Sequence, residues 1–265
     1  MSAIPTRRRP GRMRVRPWQG DARVAHVTPA LDHLGPLTVD DVERTLEDLR
    51  RRGYRSVVTA ALRAPDRGPF LAAGFAEAAH LHLLLHDLDD LPAASRPPGI
   101  GIRRARRGDQ ARVLAVDRAA FAPFWRLDEA GLAEALSATA SVHFQVARDA
   151  GGDVVGYAVC GRTGPNGYVQ RLAVAPEHQG RGVGAALLVD GLRWLRRWGA
   201  RDALVNTQED NARSLRLYQR LGFVVQAEDL AVLQRDLVDD GAGDAAGGPR
   251  AAELGRAWPA PPEPR

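Results

Sequence analysis

The sequence predicts an α/β fold in which a mixed β-sheet is flanked by helices. From residue 100 onward, β-rich runs alternate with amphipathic helical segments, and helical crossovers join the later strands, as in α/β sheet domains. The chain has 265 residues, of which 45% are apolar and 26% charged, and this is enough for one large domain or two small ones with their own cores. Fibrous and wholly disordered classes are therefore excluded.

The first predicted elements of this region are a strand and two helices. Residues 100–104 predict a short strand, and Asp109 is expected to cap a helix that extends to Phe121. Asp128 is expected to cap a second helix, which extends through Leu136.

A hairpin and an alternation of strands and helices complete the region. The two arms of the hairpin are residues 142–148 and 154–161, joined by an Ala-Gly-Gly-Asp turn. Beyond it we expect a strand at 168–174, a long helix with Leu188, Leu192 and Leu195 on one face, a strand at 203–207, a helix at about 211–221 and two final strands.

Composition divides the whole chain into five segments. These are a basic disordered arm (1–21), a first block (22–91), a linker (92–99), a second block (100–238) and a disordered tail (239–265). The tail is rich in Gly, Ala and Pro and has no periodic apolar face.

The first block resembles the second half of the second block. Residues 53–59 match residues 199–205, residues 73–75 match 221–223, and residues 81–88 match 230–237, all in the same order. A helical run precedes the first glycine in each copy. We interpret this register as a partial duplication.

A glycine-rich turn between a strand and a helix carries the strongest chemical signal. After Pro176, the sequence Gln179-Gly-Arg-Gly-Val-Gly184 leads directly into a helix. Glycines let a ligand approach the backbone, and the first N–H groups of a helix lack intrahelical partners. The pattern predicts an anion site in which several N–H groups bind a diphosphate. It is not a nucleotide P-loop, because no Gly-Lys-Ser/Thr follows, and its spacing differs from the dinucleotide fingerprint.

This segment resembles the Gln/Arg-x-x-Gly-x-Gly/Ala signature of the GNAT N-acetyltransferase superfamily, which binds the pyrophosphate of acetyl-CoA. Further matching motifs, some of the RimI kind, are Ile102–Ala105 with Asp109, Leu172–Val174, Asn211 followed seven residues later by Tyr218, and Leu221–Phe223. The resemblance covers essentially all of residues 100–237. It implies the GNAT fold, with a mixed and mostly antiparallel sheet flanked by helices, and it identifies the first block as a degenerate partial GNAT repeat.

The resemblance also implies roles for individual residues. The cofactor-binding residues would be Leu172, Ala173, Val174, Gln179, Gly180, Arg181, Gly182, Val183, Gly184, Ala185 and Asn211. Tyr218 would be the catalytic general acid, because a phenol proton can serve the departing coenzyme A thiolate. The alternative is that Tyr218 is a core aromatic, since Leu215, Tyr218 and Leu221 share a helical stripe.

The general base departs from the RimI pattern. Where enzymes of that kind carry a glutamate five residues before the asparagine, this sequence has Asn206, and an amide cannot accept the proton. An α-amine with a pKa near 8 loses its proton far more easily than a lysine ε-amine with a pKa of about 10.4, so we expect α-amines to be the better acceptors. A water chain through Gln170, Asn206 and Thr207, or a carboxylate such as Glu209, remains an alternative.

The resemblance also suggests an interpretation of two other segments. The run Phe121-Ala-Pro-Phe-Trp125 lies where GNAT enzymes build part of their acceptor cleft, although aromatic residues at this spacing also serve as core. In the first block, only Gly35 remains of the three glycines, Pro36 lacks an N–H, and Phe70 stands at the position of Tyr218. We therefore expect the first block to be non-catalytic.

Neither the charge distribution nor the candidate metal ligands favour another functional class of protein. All 37 cationic residues are arginines, and the net charge of +5 comes from the arginine-rich start, which could touch phosphate backbones or only be solvated. His80, His82 and His86 lie on one face of an expected strand, but no carboxylate completes a metal set, so we expect no metal. The lone Cys160 is expected to be a small buried residue.

We expect a cytoplasmic N-acetyltransferase that transfers an acetyl group from acetyl-CoA to a primary amine, on a small molecule or a peptide N-terminus, by direct attack in a ternary complex. Neither a membrane span nor a secretory signal is expected. The alternative is a non-catalytic acyl-CoA-binding sensor or interaction module with the same fold. Nucleic acid and membrane are not expected partners, whereas a homodimer and the identity of the amine stay open.

Overall fold

The structure is a computed structural model that describes residues 12–30, 36–93 and 97–237. The described residues divide into two compact units: unit 1 takes those up to Ala79 together with residues 231–237, and unit 2 takes those within His80–Leu230. The expected disordered tail at 239–265 lies outside the described residues. Across the described ranges, no helix combines the length and the apolar character that spanning a membrane requires.

The elements of unit 1 come first along the chain. They are the strands β1 (Met13–Trp18) and β2 (Asp21–Pro29), helix α1 (Val39–Arg51), strands β3 (Ser56–Thr59) and β4 (Leu62–Arg63), helix α2 (Ala64–Ala72) and strand β5 (Ala76–His86). Thr38 and Asp41 form a capping box at the start of α1, because each side chain accepts from the backbone N–H of the other.

Unit 2 contains most of the remaining elements. They are strand β6 (Gly101–Arg104), helices α3 (Gln110–Ala120) and α4 (Glu129–Ser137), strands β7 (Ser141–Arg148), β8 (Val154–Thr163) and β9 (Asn166–Val174), helix α5 (Val183–Arg197), strand β10 (Asp202–Gln208), helix α6 (Ala212–Arg220) and strand β11 (Val224–Asp236). Strands β5 and β11 each contribute residues to both units.

The sheet of unit 2 runs in the order β5-β10-β9-β8-β7-β6. Strands β6 to β9 form a consecutive antiparallel meander, and β10 pairs antiparallel with β5. Only the β9–β10 pair of this series is parallel. The predicted mixed, mostly antiparallel sheet of an α/β fold is therefore confirmed.

The parallel strands β9 and β10 pair only at one end. Their register runs from Asn166 opposite Asp202 to Tyr168 opposite Leu204 and then stops. On its other side β9 pairs with β8 along its length, except that Gln170 is bypassed between two consecutive pairs, which makes it a β-bulge. Strand β9 therefore turns away from β10 after Tyr168, and beyond this residue its edge on the β10 side pairs with no strand of the described ranges.

Helix α5 is the central core element of unit 2. Its leucines at 187, 188, 192 and 195 are fully buried. Each leucine that leaves water in this way stabilises the fold by about 1.5–3 kcal/mol. Leu188, Leu192 and Leu195 are the predicted stripe, and Leu187 adds to it. This packing positions the start of α5 at the open end of the β9–β10 pair.

The chain contains the same succession of helix, strand, helix and strand twice. The first copy is α1-β3-α2-β5, with the two-residue strand β4 between β3 and α2, and the second copy is α5-β10-α6-β11. The glycine that ends each first helix has a left-handed φ of 82° or 84°, at Gly53 and Gly199 respectively. The aromatic pairs also correspond, because Phe70 packs edge-on against Phe75 at 5.3 Å and Tyr218 against Phe223 at 5.5 Å. These parallels support the partial repeat.

The last strand of each copy pairs within the other unit. Residues Leu81–His86 of β5 pair with β10 in unit 2, and Gln234–Asp236 of β11 pair with β3 in unit 1. The division between the units accordingly falls inside β5 and β11 and not at the linker 92–99. Of that linker, the described residues carry no helix or strand.

Three local expectations were wrong. Residues 12–21 are not a disordered arm, because Met13–Trp18 forms strand β1, with Met13 and Val15 packed on the core of unit 1; residues 1–11 lie outside the described residues. One 13-residue strand, β11, replaces the two expected final strands. The Asp109 carboxylate does not cap α3, because it accepts from the Arg106 backbone N–H and the Arg103 guanidinium.

The closed end of the β9–β10 pair depends on a glycine. A Cβ at Gly167 would lie 2.6 Å from the backbone oxygen of Asp202 and 3.0 Å from the Leu195 side chain, so Gly167→Ala should destabilise the fold by about 1–3 kcal/mol. Gly101 in β6 has no atom within 4 Å of such a Cβ, so Gly101→Ala should change the unfolding free energy by less than about 0.5 kcal/mol. Urea unfolding measures both, and equal losses would contradict the close approach of the two strands.

Candidate acyl-coenzyme site

A cavity of about 660 Å³ in unit 2 opens where β9 and β10 diverge. Four parts of the fold surround it: the end of α3, the end of β9, the loop that leads into α5, and one face of α6. Its lining residues are Ala120, Phe121, Leu172, Ala173, Val174, Pro176, Gln179, Gly180, Gly182, Gly184, Ala185, Asn211, Arg213, Ser214, Arg216, Leu217 and Arg220. The volume is ample for a small-molecule ligand.

The loop from Gln179 to Gly184 turns the chain sharply into α5. Gly180 and Gly182 have left-handed φ values of 76° and 84°, which residues with a Cβ rarely adopt. Gly182 is the N-cap of α5, and no side chain of the described residues caps the first N–H groups of the helix. These groups and the positive end of the helix dipole therefore remain available to an anion.

Two side chains hold parts of the cavity wall in place. The Gln179 side-chain amide donates to the carbonyl oxygen of Val174 at 2.9 Å, which ties the loop to the end of β9. Asn211 accepts from the backbone N–H of Ser214 at 3.1 Å and so caps α6. Both residues line the cavity, and their structural bonds hold the cavity wall in place.

The structure brings together most of the residues predicted to bind the cofactor. All of them line the cavity except Arg181, whose side chain is exposed, and Val183, whose side chain is buried in the core. What sequence reasoning missed is the contribution of α6 beyond Asn211, namely Arg213, Arg216 and Arg220. Their spacing of three and four residues in a predicted helix was a signal that could have found them.

Tyr218 lies in the core beside the cavity. It is 6% exposed, packs with Phe223, and is absent from the described cavity lining. Burial raises the pKa of Tyr218, so the phenol keeps its proton at neutral pH. This burial supports the interpretation of Tyr218 as a core aromatic residue. Its role as a general acid stays a prediction.

A buried ionic network holds the segment after α3. Asp117 is fully buried on the core face of α3 and pairs with Arg171 of β9 through two hydrogen bonds of 2.8 and 3.0 Å. The same carboxylate accepts from the Tyr157 hydroxyl at 2.5 Å and from the backbone N–H of Leu127 at 2.7 Å. Sequence reasoning missed this network, although an aspartate in the apolar stripe with Val113 and Val116 was a signal.

Arg171 connects this network to the cavity wall. Its guanidinium donates to the backbone oxygen of Trp125 at 2.6 Å and lies over the ring of Phe121, 3.6 Å from the ring centroid. Phe121 lines the cavity, whereas Phe124 and Trp125 pack edge-on against each other at 4.8 Å and do not. The aromatic run is thus divided between the cavity and the packing beside it.

Burial fixes the ionisation of one further side chain. Burial is the main reason that the pKa of Tyr157 is raised, and its proton is the one donated to Asp117. The Tyr157 hydroxyl is thus a permanent donor that helps to compensate the buried carboxylate.

None of the residues considered as general base lines the described cavity. Asn206 and Glu209 are exposed, and Thr207 is buried in β10. Gln170, at the bulge of β9, has a buried side-chain oxygen without a hydrogen-bond partner among the described residues. Burial raises the pKa of Asp210, which follows Glu209 in the chain.

The remaining candidate ligand and nucleophile, His86 and Cys160, are buried in the core. His86 is buried, accepts from the Leu88 backbone N–H at 2.9 Å and packs against Phe223. Burial raises the pKa of the Cys160 thiol to about 12, so it is a poor nucleophile. Within the ranges that the structure describes, no three His, Cys, Asp or Glu side chains are grouped as metal ligands would be.

Comparison with known proteins identifies a matching family model, similar sequences and similar solved structures. A family model described as the acetyltransferase (GNAT) family matches residues 112–223. A mycothiol acetyltransferase from Pseudarthrobacter chlorophenolicus is 38% identical over 146 residues, which are 51% of this chain and 45% of the relative. Another mycothiol acetyltransferase, from Thermomonospora curvata, is 32% identical over 235 residues, which are 79% of this chain and 77% of the relative.

In the first of these alignments the chain spans about half the length of its relative. Among solved structures, a tandem GNAT protein from the clavulanic acid biosynthesis pathway superposes with a TM-score of 0.62 at 18% identity. The superposition covers 84% of this chain and 77% of that protein. At this identity the likeness shows the fold.

The Asp117 network should dominate the local stability of unit 2. Asp117→Asn leaves the largely buried Arg171 without its counter-charge, so we expect a loss of about 3–5 kcal/mol in unfolding free energy. The same substitution at Asp48 breaks exposed pairs with Arg51 and Arg52, and should change the free energy by less than about 1 kcal/mol. Urea denaturation measures both, and a loss at Asp117 no larger than that at Asp48 would contradict this role.

Proposed function

Because the chain belongs to the GNAT acetyltransferase family, we propose that it transfers an acetyl group from acetyl-CoA to a primary amine. The observation that carries this proposal is the cavity that joins the uncapped start of α5 to the free edge of β9. Among the described residues that line it, three are arginines and none is a carboxylate, so it suits a polyanionic ligand.

The cofactor would bind along two adjoining surfaces. The backbone N–H groups from Gln179 to Ala185 would bind the diphosphate, as the uncapped helix end favours. The edge of β9 at Leu172–Val174, which β10 leaves unpaired, would pair with the amide groups of the pantetheine arm. Asn211, whose side-chain oxygen is used in capping α6, would offer its amide N–H to the same arm.

The reaction that we propose is a direct transfer in a ternary complex. The bound thioester supplies the activated acetyl group. The amine nitrogen forms a bond to its carbonyl carbon while the carbon–sulfur bond breaks. The amine proton passes to solvent water, and the thiolate that leaves takes up a proton to become the free thiol of coenzyme A. No acyl-enzyme is required, in keeping with the burial of Cys160 and its raised pKa. Tyr218, which keeps its proton at neutral pH, would donate it towards the thiolate.

The acceptor that we propose is an amine that reaches the site already largely deprotonated. The candidates for a general base stand outside the described cavity lining, so the enzyme would favour an α-amine over a lysine ε-amine. The names of the relatives support an acceptor related to mycothiol. Phe121, held under Arg171, would form the apolar side of the acceptor cleft.

The catalytic domain that we propose is the second block, 100–238, completed by β5, and unit 1 would be a degenerate repeat without catalysis. Phe70 occupies the place in unit 1 that Tyr218 has in unit 2, and it has no proton to donate. Pro36 likewise lacks the N–H that an anion-binding turn needs.

Removal of the Tyr218 hydroxyl tests the chemistry. In an assay of thiol released from acetyl-CoA with a panel of α- and ε-amines, Tyr218→Phe should lower kcat by a factor of about 10²–10⁴ because the thiolate loses its proton donor. Affinity for acetyl-CoA should change little. Tyr54→Phe, which removes a hydroxyl from the core of unit 1, is the control and should keep full activity. An unchanged kcat in Tyr218→Phe would rule out the acid role, and no thiol release by the unaltered protein would favour a non-catalytic sensor.

A pair of glycines with the same backbone angle tests the anion site. Gly182 and Gly199 both have a φ of 84°, so alanine at either position should cost about 1 kcal/mol of stability. Only Gly182 lines the cavity, so Gly182→Ala should weaken acetyl-CoA binding about tenfold, whereas Gly199→Ala should leave it unchanged. Calorimetry provides both affinities, and equal affinities would contradict the placement of the diphosphate.

A further inference from the structure

Helix α6 directs all of its arginines towards the cavity. Arg213, Arg216 and Arg220 line it, while Ala212 and Gln219, which are also exposed residues of α6, do not. None of the three arginines makes an ion pair within the described ranges. A merely solvated helix face would distribute its charges over the outward surface, so this segregation calls for an anionic ligand.

The three arginines lie close to the start of α5. Their spacing places them along the same stripe of α6 as Leu217, each within about one helical turn of it. Leu217 meets the beginning of α5, since a Cβ at Gly184 would lie 3.5 Å from its side chain. Flexible guanidinium groups on this stripe can therefore reach an anion adjacent to whatever the α5 loop binds.

The loop alone already supplies donors for a diphosphate. Its anion site uses backbone N–H groups and the helix end, and it needs no arginine from α6. Three further cations beside it exceed what those two phosphates require. They indicate a third phosphate on the same ligand, and guanidinium forks suit a phosphate monoester, which can accept two parallel hydrogen bonds from one arginine.

We propose that Arg213, Arg216 and Arg220 bind the 3′-phosphate on the ribose of the coenzyme and make the enzyme select 3′-phosphorylated acyl-CoA over its dephospho form. This inference rests on the proposed function, because it assumes that the diphosphate of the same molecule lies in the α5 loop. It assigns to α6 a specificity role that is separate from the transfer chemistry. The surface position of the arginines fits a phosphate at the outer end of the ligand.

The test compares coenzyme A with 3′-dephospho-coenzyme A by calorimetry on the full chain. The unaltered protein should bind coenzyme A at least about tenfold more tightly, because charge-assisted hydrogen bonds to one phosphate are lost in the dephospho form. The triple variant Arg213→Gln, Arg216→Gln, Arg220→Gln should lose this preference while keeping its affinity for the dephospho form within about twofold. Arg201→Gln, which removes an exposed arginine that does not line the cavity, should retain the full preference.

The outcomes separate the inference from the function on which it rests. Equal binding of the two coenzymes by the unaltered protein, or an equal loss for both in the triple variant, would overturn the inference and leave the proposed function intact. Absence of binding to either coenzyme would overturn both. If the triple variant fails to fold, the comparison is repeated with the single variants Arg216→Gln and Arg220→Gln. Thermal unfolding checks that these variants are folded. An unchanged preference for coenzyme A in both would also overturn the inference.

Discussion

The site depends on one constraint in the sheet: β9 and β10 are paired at one end and apart at the other. The close approach at Gly167 and the buried leucines of α5 hold the closed end. The bulge at Gln170 turns β9 away, and beyond Tyr168 none of the strands that the structure describes pairs with this edge. An unpaired edge at a sheet interior must find other hydrogen-bond partners, and an extended amide-bearing ligand provides them. The α5 loop then adds an anion site at the end of the same edge.

The buried network around Asp117 supports this arrangement from the other side. A buried ion pair contributes little net stability when compared with an apolar replacement, but losing one partner of it is costly. Here the pair links α3, β8 and β9 with the segment that begins at Phe121, and its guanidinium covers the Phe121 ring. The cavity wall that would face the acceptor is thus held by the same strand whose free edge would face the cofactor.

Local patterns made much of unit 2 predictable. The apolar stripe of α5, the Asp128 cap and the β7–β8 hairpin depend on neighbouring residues in the chain, and the structure has them where the sequence indicates. The glycine loop was likewise recognisable, because glycine spacing and a following helix are local features. The cofactor-binding residues beyond this loop, and the acid role of Tyr218, were inferred from family resemblance.

Features that depend on distant partners were not predictable in this way. Strand β1 follows from packing of Met13 on the core of unit 1, and the arginine-rich composition around it obscured its alternation. Strand β5 pairs with β10, and β11 pairs with β3. These partners are more than a hundred positions apart in the chain, and a single sequence carries no local signal for such pairing. The pairing of Asp117 with Arg171 depends in the same way on two elements that meet only in the folded chain.

Hydrogen–deuterium exchange with and without coenzyme A tests the central claim most directly. If the open edge of β9 and the start of α5 bind the coenzyme, saturating ligand should slow amide exchange in segments 171–175 and 179–186 and leave β1 and β2 unchanged. Protection confined to other segments, or no protection at saturation, would contradict the account.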